Sequence, residues 1–288
     1  MVTNVPRHDF PTGYATESMA ARAESLNRIL DRLEKSEMSR SRALSGALTV
    51  AESHCAIDPT GDMFPTWEAW VTAMQIGSAL FASAMAADSP VPCRIGVDGG
   101  VKNLPATGPQ PYLHAGAWLT SFYLAAICRD NQRVDQLARV PTAFLRESGA
   151  EFDEYIYDWV ETLQGFWLGR DDVWERLIAA VNGTAPEATR IADKELMLKI
   201  LYPPIELFHR YLRRDDAQFS VALADALKWH KEYWTADEAR STNVDGMVAL
   251  GPLAIACMAR DAGIPIEVES EYLPKELLEF GWVGEVDA

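Results

Sequence analysis

Basic residues are scarce in this sequence. Its 288 residues include 26 lysines and arginines against 42 aspartates and glutamates, a formal charge of −16 with a pI near 4.7. Such a surface repels phosphate backbones and anionic lipid, so neither nucleic acid nor a membrane is expected as a partner, whereas a basic protein would be drawn in. Cysteine is sparse too. Cys55, Cys93, Cys128 and Cys257 form no CxxC pair, and three of them lie in apolar helical stretches. A free thiol there behaves as a small hydrophobe, which argues against a disulfide framework or a zinc ribbon. Long apolar runs are missing as well. The uncharged helical run 246–259 has 14 residues and contains Pro252, short of the ~18–20 that span a bilayer. Residues 1–13, MVTNVPRHDFPTG, carry no apolar core of a secretory signal. A cytoplasmic location is expected.

Catalytic signatures are also absent. There is no HExxH, and no His or Cys pair has finger-like spacing. His209 and His230 come nearest to a ligand pair, but His230 falls on the apolar stripe of Phe219, Leu223, Leu227 and Trp234, the usual place of a hydrogen-bonded core histidine. GxSxG is missing, and the adjacent His54 and Cys55 diverge by about 100° on a helix. Residues 96–103, GVDGGVKN, lack the Gly-Lys-Ser/Thr of a phosphate loop and are followed by prolines rather than a helix. Asp58-Pro-Thr-Gly-Asp62 lacks the ligand pattern of a calcium loop. No catalytic residue, metal or cofactor is expected.

What the chain has is helical periodicity. Residues 17–37 carry an apolar stripe of Leu26, Ile29, Leu30 and Leu33; residues 39–57 form a second amphipathic helix and 65–87 a third, rich in Trp and Ala. Between 88 and 111, five prolines and four glycines interrupt the helices. Within that stretch RIGV-DGG-VKNL predicts a tight hairpin near 94–102, because Asp-Gly supplies the positive φ of such turns. A repeat follows. Arg-Asp closes a bulky apolar helix at Arg129-Asp130, Arg170-Asp171, Arg214-Asp215 and Arg260-Asp261, and with Ala87-Asp88 the aspartates lie 42, 41, 44 and 46 residues apart. The Asp suits the unpaired N–H groups of the next helix, and the Arg suits the carbonyl end of the one before. A period of that length predicts stacked αα-hairpins. Tyr202-Pro203-Pro204 should break or kink the helix before the Arg214 junction.

The chain closes on IPIEVESEYLPKELLEFGW. Here Ile266 and Val268 alternate with Glu267, Glu269 and Glu271, the period-2 pattern of a half-buried strand near 264–270. The predicted fold is therefore all-α: a stacked αα-hairpin, helical-repeat-like bundle with one small β hairpin and one short strand. One helical domain is expected over 1–288. It comprises N-terminal helices (16–87), the Pro/Gly-rich loop with its hairpin (88–111), αα-hairpin repeats (112–263), and a C-terminal strand with a short helix (264–288).

The last 75 or so residues resemble the immunity protein 49 family of bacterial polymorphic toxin systems. The likeness rests on DDAQFSVALADALKWHKEYW, on DGMVALGPLAIACMARDAGIPIEVESEYLP and on ELLEFGW. It implies a largely helical protein, not an enzyme, that binds and neutralises a cognate toxin. The acidity would suit a basic toxin such as a nuclease. The expected partner-binding residues are Glu267, Glu269, Glu271, Tyr272, His230 and Trp234. The competing readings are a helical-repeat adaptor holding a peptide or protein partner, and an enzyme whose site is assembled from scattered residues.

Overall fold

The computed structural model describes residues 2–11, 15–96 and 100–282. The turn of the expected hairpin (97–99) and the last residues of the expected C-terminal segment (283–288) lie outside the described residues. Helix makes up 63% of the structure and strand 4%, so the fold is all-α as expected.

Three helices open the chain: α1 (Ala15–Asp31), α2 (Glu37–Ile57) and α3 (Phe64–Met85). Ser36 starts α2 by accepting the Ser39 amide at 3.1 Å. Asp58 governs the turn into α3. Its carboxylate accepts the amides of Gly61, Asp62 and Met63 and the Thr66 hydroxyl, supplying the cap that Met63 cannot. α3 is buried round most of its circumference, with Trp67, Trp70, Met74, Ile76 and Phe81 inside. Each such side chain removed from water contributes about 1.5–3 kcal/mol before entropy is counted. The hairpin follows as β2 (Val91–Arg94) and β3 (Val101–Leu104), antiparallel, with Arg94 opposite Val101. Its first strand starts earlier than RIGV, at Val91 and Cys93, and beyond Arg94 the Ile95 amide still donates to Gly100 O at 3.0 Å.

The αα units come next: α4 (Ala115–Ile127) with α5 (Asn131–Ala138), the short α6 (Thr142–Arg146), α7 (Glu154–Leu168) with α8 (Val173–Gly183), the one-turn α9 (Lys194–Leu196), α10 (Tyr202–Arg213) with α11 (Asp216–Trp234), the short α12 (Glu238–Ser241), and α13 (Leu250–Asp261). The units do not run out as an open superhelix. α4 packs on α7, α8 on α10, α10 on α13, and α13 returns to pack on α4. One cluster of buried apolar side chains consequently runs from Val5 to Leu278.

The junctions share one backbone device. At Arg129 (φ 54°) the chain turns left-handed, and the amides of Arg129 and Asp130 reach back to the carbonyls of Ala126 and Ala125 at 3.2 and 3.0 Å. Arg214 (φ 55°) and Asp215 repeat this on Tyr211 and Arg210 at 3.1 and 3.2 Å. These paired bonds satisfy carbonyls that a helix end leaves bare. Asp130 and Asp215 then cap α5 and α11 through the amides of Arg133 and Gln218. The other two junctions are displaced from their Arg-Asp pairs. After α7 the left-handed residue is Gly169 (φ 67°), and Asp172, not Asp171, precedes α8. After α13 it is Gly263 (φ 85°), and Asp261 is still inside the helix. Glycine takes this conformation without a Cβ clash, so the reversal moves to a glycine where one is in reach.

The two prolines do not break the chain's helical course either. A π-helical turn, Met197–Leu201, runs directly into them, and Pro203 and Pro204 sit in the first turn of α10. The wider turn takes up the change of hydrogen bonding that the missing N–H groups impose. Gly251 allows α13 to approach that turn: a Cβ there would lie 2.5 Å from Pro204 Cγ.

Candidate functional site

The acidic end of the molecule is built by the two ends of the described chain. The expected strand is reduced to β4 (Val268–Glu269), and its partner is β1 (Thr3–Asn4), a strand the periodicity did not disclose. They pair in parallel, with the amides of Thr3 and Val5 each donating at 2.9 Å to the carbonyls of Glu267 and Glu269. The alternation holds: Val268 is buried and Ile266 half-buried, whereas Glu267, Glu269 and Glu271 are exposed. Glu269 and Glu271 border a groove of about 570 Å³ with Ile266, Arg260 and Lys275. Arg7 approaches Glu271 at 3.9 Å and also donates to the carbonyls of Cys55 and Ala56, where its charge suits the C-terminus of α2. A short helix, α14 (Lys275–Glu279), follows, and Trp282 donates its indole N–H to Gly61 O at 2.9 Å.

Tyr272 and His230, expected beside the glutamates at a partner's surface, are turned inward. Tyr272 is fully buried; its hydroxyl accepts the His8 amide at 3.1 Å and lies 2.7 Å from His8 Nδ1. Burial pushes the Tyr272 phenol up to about 12. The His230 ring meets Tyr272 edge-on at 4.8 Å, and Nε2 lies 3.0 Å from Gly246 O, to which it donates its proton. Burial lowers its pKa to about 4, against the opposing pull of that carbonyl. His230 is thus the hydrogen-bonded core histidine the stripe predicts. His209 sits elsewhere, edge-on to Trp174. No group of three or more His, Cys, Asp or Glu side chains suited to a metal gathers among the described residues.

Trp234 is half-buried and lines a second feature, a cavity of about 400 Å³ at the centre of the helical ring. α4 contributes Leu119 and Tyr123, α7 Tyr155, Ile156 and Trp159, the π-turn Lys199 and Leu201, α10 Pro204, and α13 Gly251 and Pro252. Trp159 donates to the Tyr123 hydroxyl at 2.8 Å, fixing one wall. Among these apolar side chains sits a carboxyl, Glu52 of α2, 3% exposed, with the Asp245 carboxylate in hydrogen-bonding contact. Burial, reinforced by the neighbouring charge and the hydrogen bond to it, raises Glu52 well above the usual carboxylate range. Asp245 itself is exposed, so the pair links the cavity to solvent. Two further polar groups of the lining, the Tyr155 hydroxyl and the Trp234 indole N–H, are buried and make no hydrogen bond among the described residues.

The six expected residues therefore divide. The three glutamates share an exposed face, Tyr272 lies in the core beneath it, and His230 and Trp234 face the cavity. Sequence reasoning missed Glu52. Its position on α2 puts it between the buried Ala51 and Ser53, a run of consecutive buried residues that amphipathic periodicity does not predict. It also missed Trp174 and Trp229, which are partly exposed. Among the described residues no helix is long and apolar enough to cross a membrane.

The family model described as Immunity protein 49 matches residues 58–277, about three quarters of the sequence, and the chain belongs to that family. The match begins far upstream of the C-terminal stretch in which the likeness is visible by eye. No curated protein and no solved structure matches the chain.

Proposed function

From its membership of the immunity protein 49 family, we propose that the chain neutralises a cognate toxin of a bacterial polymorphic system by binding it, with the exposed glutamates of the β1–β4 end as the first point of contact. The observation that carries this reading is the row of Glu267, Glu269 and Glu271 beside a groove, on a chain of formal charge −16. Such a face accelerates the capture of a basic partner more than it tightens the final complex. A nuclease fits best among toxins, because its own polyanionic substrate demands a basic surface. The protein acts by occlusion. Its functional groups at this end are exposed carboxylates, and steric and electrostatic blocking requires no nucleophile.

Co-expression with the product of the neighbouring gene tests neutralisation directly: growth should be restored only when this chain is present. Stopped-flow association then tests the surface. The rate should fall steeply as salt rises past ~0.15 M, where the screening length is about 8 Å, with dissociation little changed. Replacing Glu267, Glu269 and Glu271 together with Gln should slow association by about tenfold at low salt. A rate indifferent to both salt and the triple replacement would assign the acidic face to solubility alone.

A further inference from the structure

We propose that the central cavity is a binding site for a small organic cation, an ammonium group on an aromatic or branched apolar body, held with the ammonium at the Glu52–Asp245 pair. The proposal is independent of the toxin-binding reading and concerns a different part of the molecule.

Size and lining come first. About 400 Å³ lies within the range of small-molecule sites, which are mostly apolar with a few placed polar groups. The walls of Trp159, Trp234 and Tyr155 offer flat faces to an apolar body and to a cation next to it. The buried carboxyl is the second observation. Glu52 is removed from water in an apolar surround, and its neighbour is a second carboxyl group rather than a lysine or arginine. An apolar side chain of the same volume at position 52 would avoid that cost. The lining charge is the third. Asp245, Glu151 and Asp153 outnumber Lys199; Asp153 is held by the amides of Arg190, Ile191 and Ala192, and the Lys199 ammonium is engaged by Glu195 at 3.1 Å and Glu232 at 3.4 Å. His230, the remaining titratable group of the lining, is neutral. An anionic ligand would meet net repulsion here, and a neutral one would gain nothing from the charge of the carboxyl pair. The unpartnered Tyr155 hydroxyl and Trp234 N–H supply further donors within the same walls.

The proton balance follows from the pair. With the cavity empty of cation, Glu52 keeps its proton. An ammonium ion arriving protonated replaces it as the positive partner of the pair, so one proton leaves Glu52 for solvent and the ligand's own protons stay in place.

Isothermal titration of the full chain with phenethylamine, and with 2-phenylethanol as its uncharged match, tests this. Phenethylamine is expected to bind with a Kd of about 1 mM or tighter and at least about tenfold more tightly than the alcohol. Its binding enthalpy should change with the ionisation enthalpy of the buffer, reporting the released proton. Glu52→Gln, close in shape to the protonated acid, should abolish both the preference for the amine and the buffer dependence. Asp245→Asn, at an exposed position, should weaken amine binding about tenfold with the fold unchanged by circular dichroism, and it decides the matter if Glu52→Gln does not fold. Equal binding of amine and alcohol, no binding of either, or an amine affinity unaffected by Asp245→Asn would overturn the proposal.

Discussion

Two arginines with the same backbone conformation should respond oppositely to the same substitution. Arg129 and Arg214 both close a helix at φ near +55°, a region costing an L-residue about 1–2 kcal/mol that glycine avoids. Replacing either with Gly recovers that strain, less roughly 0.5–1 kcal/mol for the greater freedom of the unfolded glycine. The side chains differ. Arg214 is exposed and makes one bond, to Ala262 O at 2.8 Å, worth well under about 1 kcal/mol at the surface. Arg129, with its side chain 10% exposed, donates to the carbonyls of Ile127, Leu277 and Leu278 at 2.7, 2.7 and 2.8 Å and to Asp261 at 3.0 and 3.3 Å. It also lies 5.1 Å from the centre of the Phe280 ring. Hydrogen bonds from a charged donor contribute about 1.5–3 kcal/mol each and do not add fully, and the carbonyls left behind are partly buried. Arg214→Gly is therefore expected to leave stability unchanged or raise it by up to about 1 kcal/mol, and Arg129→Gly to lower it by about 3 kcal/mol. Urea denaturation of both variants at one pH, with equal m-values, measures this. Arg129→Gly proving as harmless as Arg214→Gly would show that the guanidinium does not tie α14 to the α4 junction.

Two further outcomes follow from the buried polar groups. Glu52 holds its proton in the native state at pH values where the unfolded chain has released it, so between the ordinary carboxylate value and its raised native one, wild-type stability should fall as pH rises, by up to about 1.4 kcal/mol per unit. Glu52→Gln removes that slope and should gain on wild type progressively from pH 4 upward; parallel urea midpoints across pH 4–8 would refute it. Tyr272→Phe deletes the hydroxyl that His8 meets at both its amide and Nδ1, and should cost about 1–3 kcal/mol and speed hydrogen exchange over residues 2–11. Unchanged exchange there would mean the arm is held by β1 and by Arg7 on the end of α2, without the tyrosine.

The helices and the alternation at 264–270 were legible in the sequence because both are periodicities, and a period is local. The junction logic was legible in part. Arg-Asp marks the chain reversal at Asp130 and Asp215, where no glycine competes, but at Gly169 and Gly263 a lower-cost left-handed residue moves the turn by one or three positions. The contacts that make the site were hidden for a common reason: each joins residues far apart in the chain. Thr3 against Val268, Glu52 against Asp245 and α13 against α4 leave no spacing to read. Tyr272 and Trp234 were expected among the partner-binding residues. Their burial is a packing fact, set by His8 at Tyr272 and by Gly246, whose missing Cβ would lie 2.8 Å from the Trp234 ring.

The pairing of β1 with β4 also has a meaning in time. His8 leaves the ribosome 264 residues ahead of the tyrosine that will hold it. At about 5–20 residues per second this separation lasts roughly 10–50 s, during which β1 has no strand to join and the floor of the ring is open. The chain can condense its early helices as they appear, yet its seam is sewn only when residues 268–272 arrive. A chain whose synthesis halts before the seam lacks both the partner strand of β1 and the hydroxyl that holds His8, so the acidic face and the closure of the core are completed together.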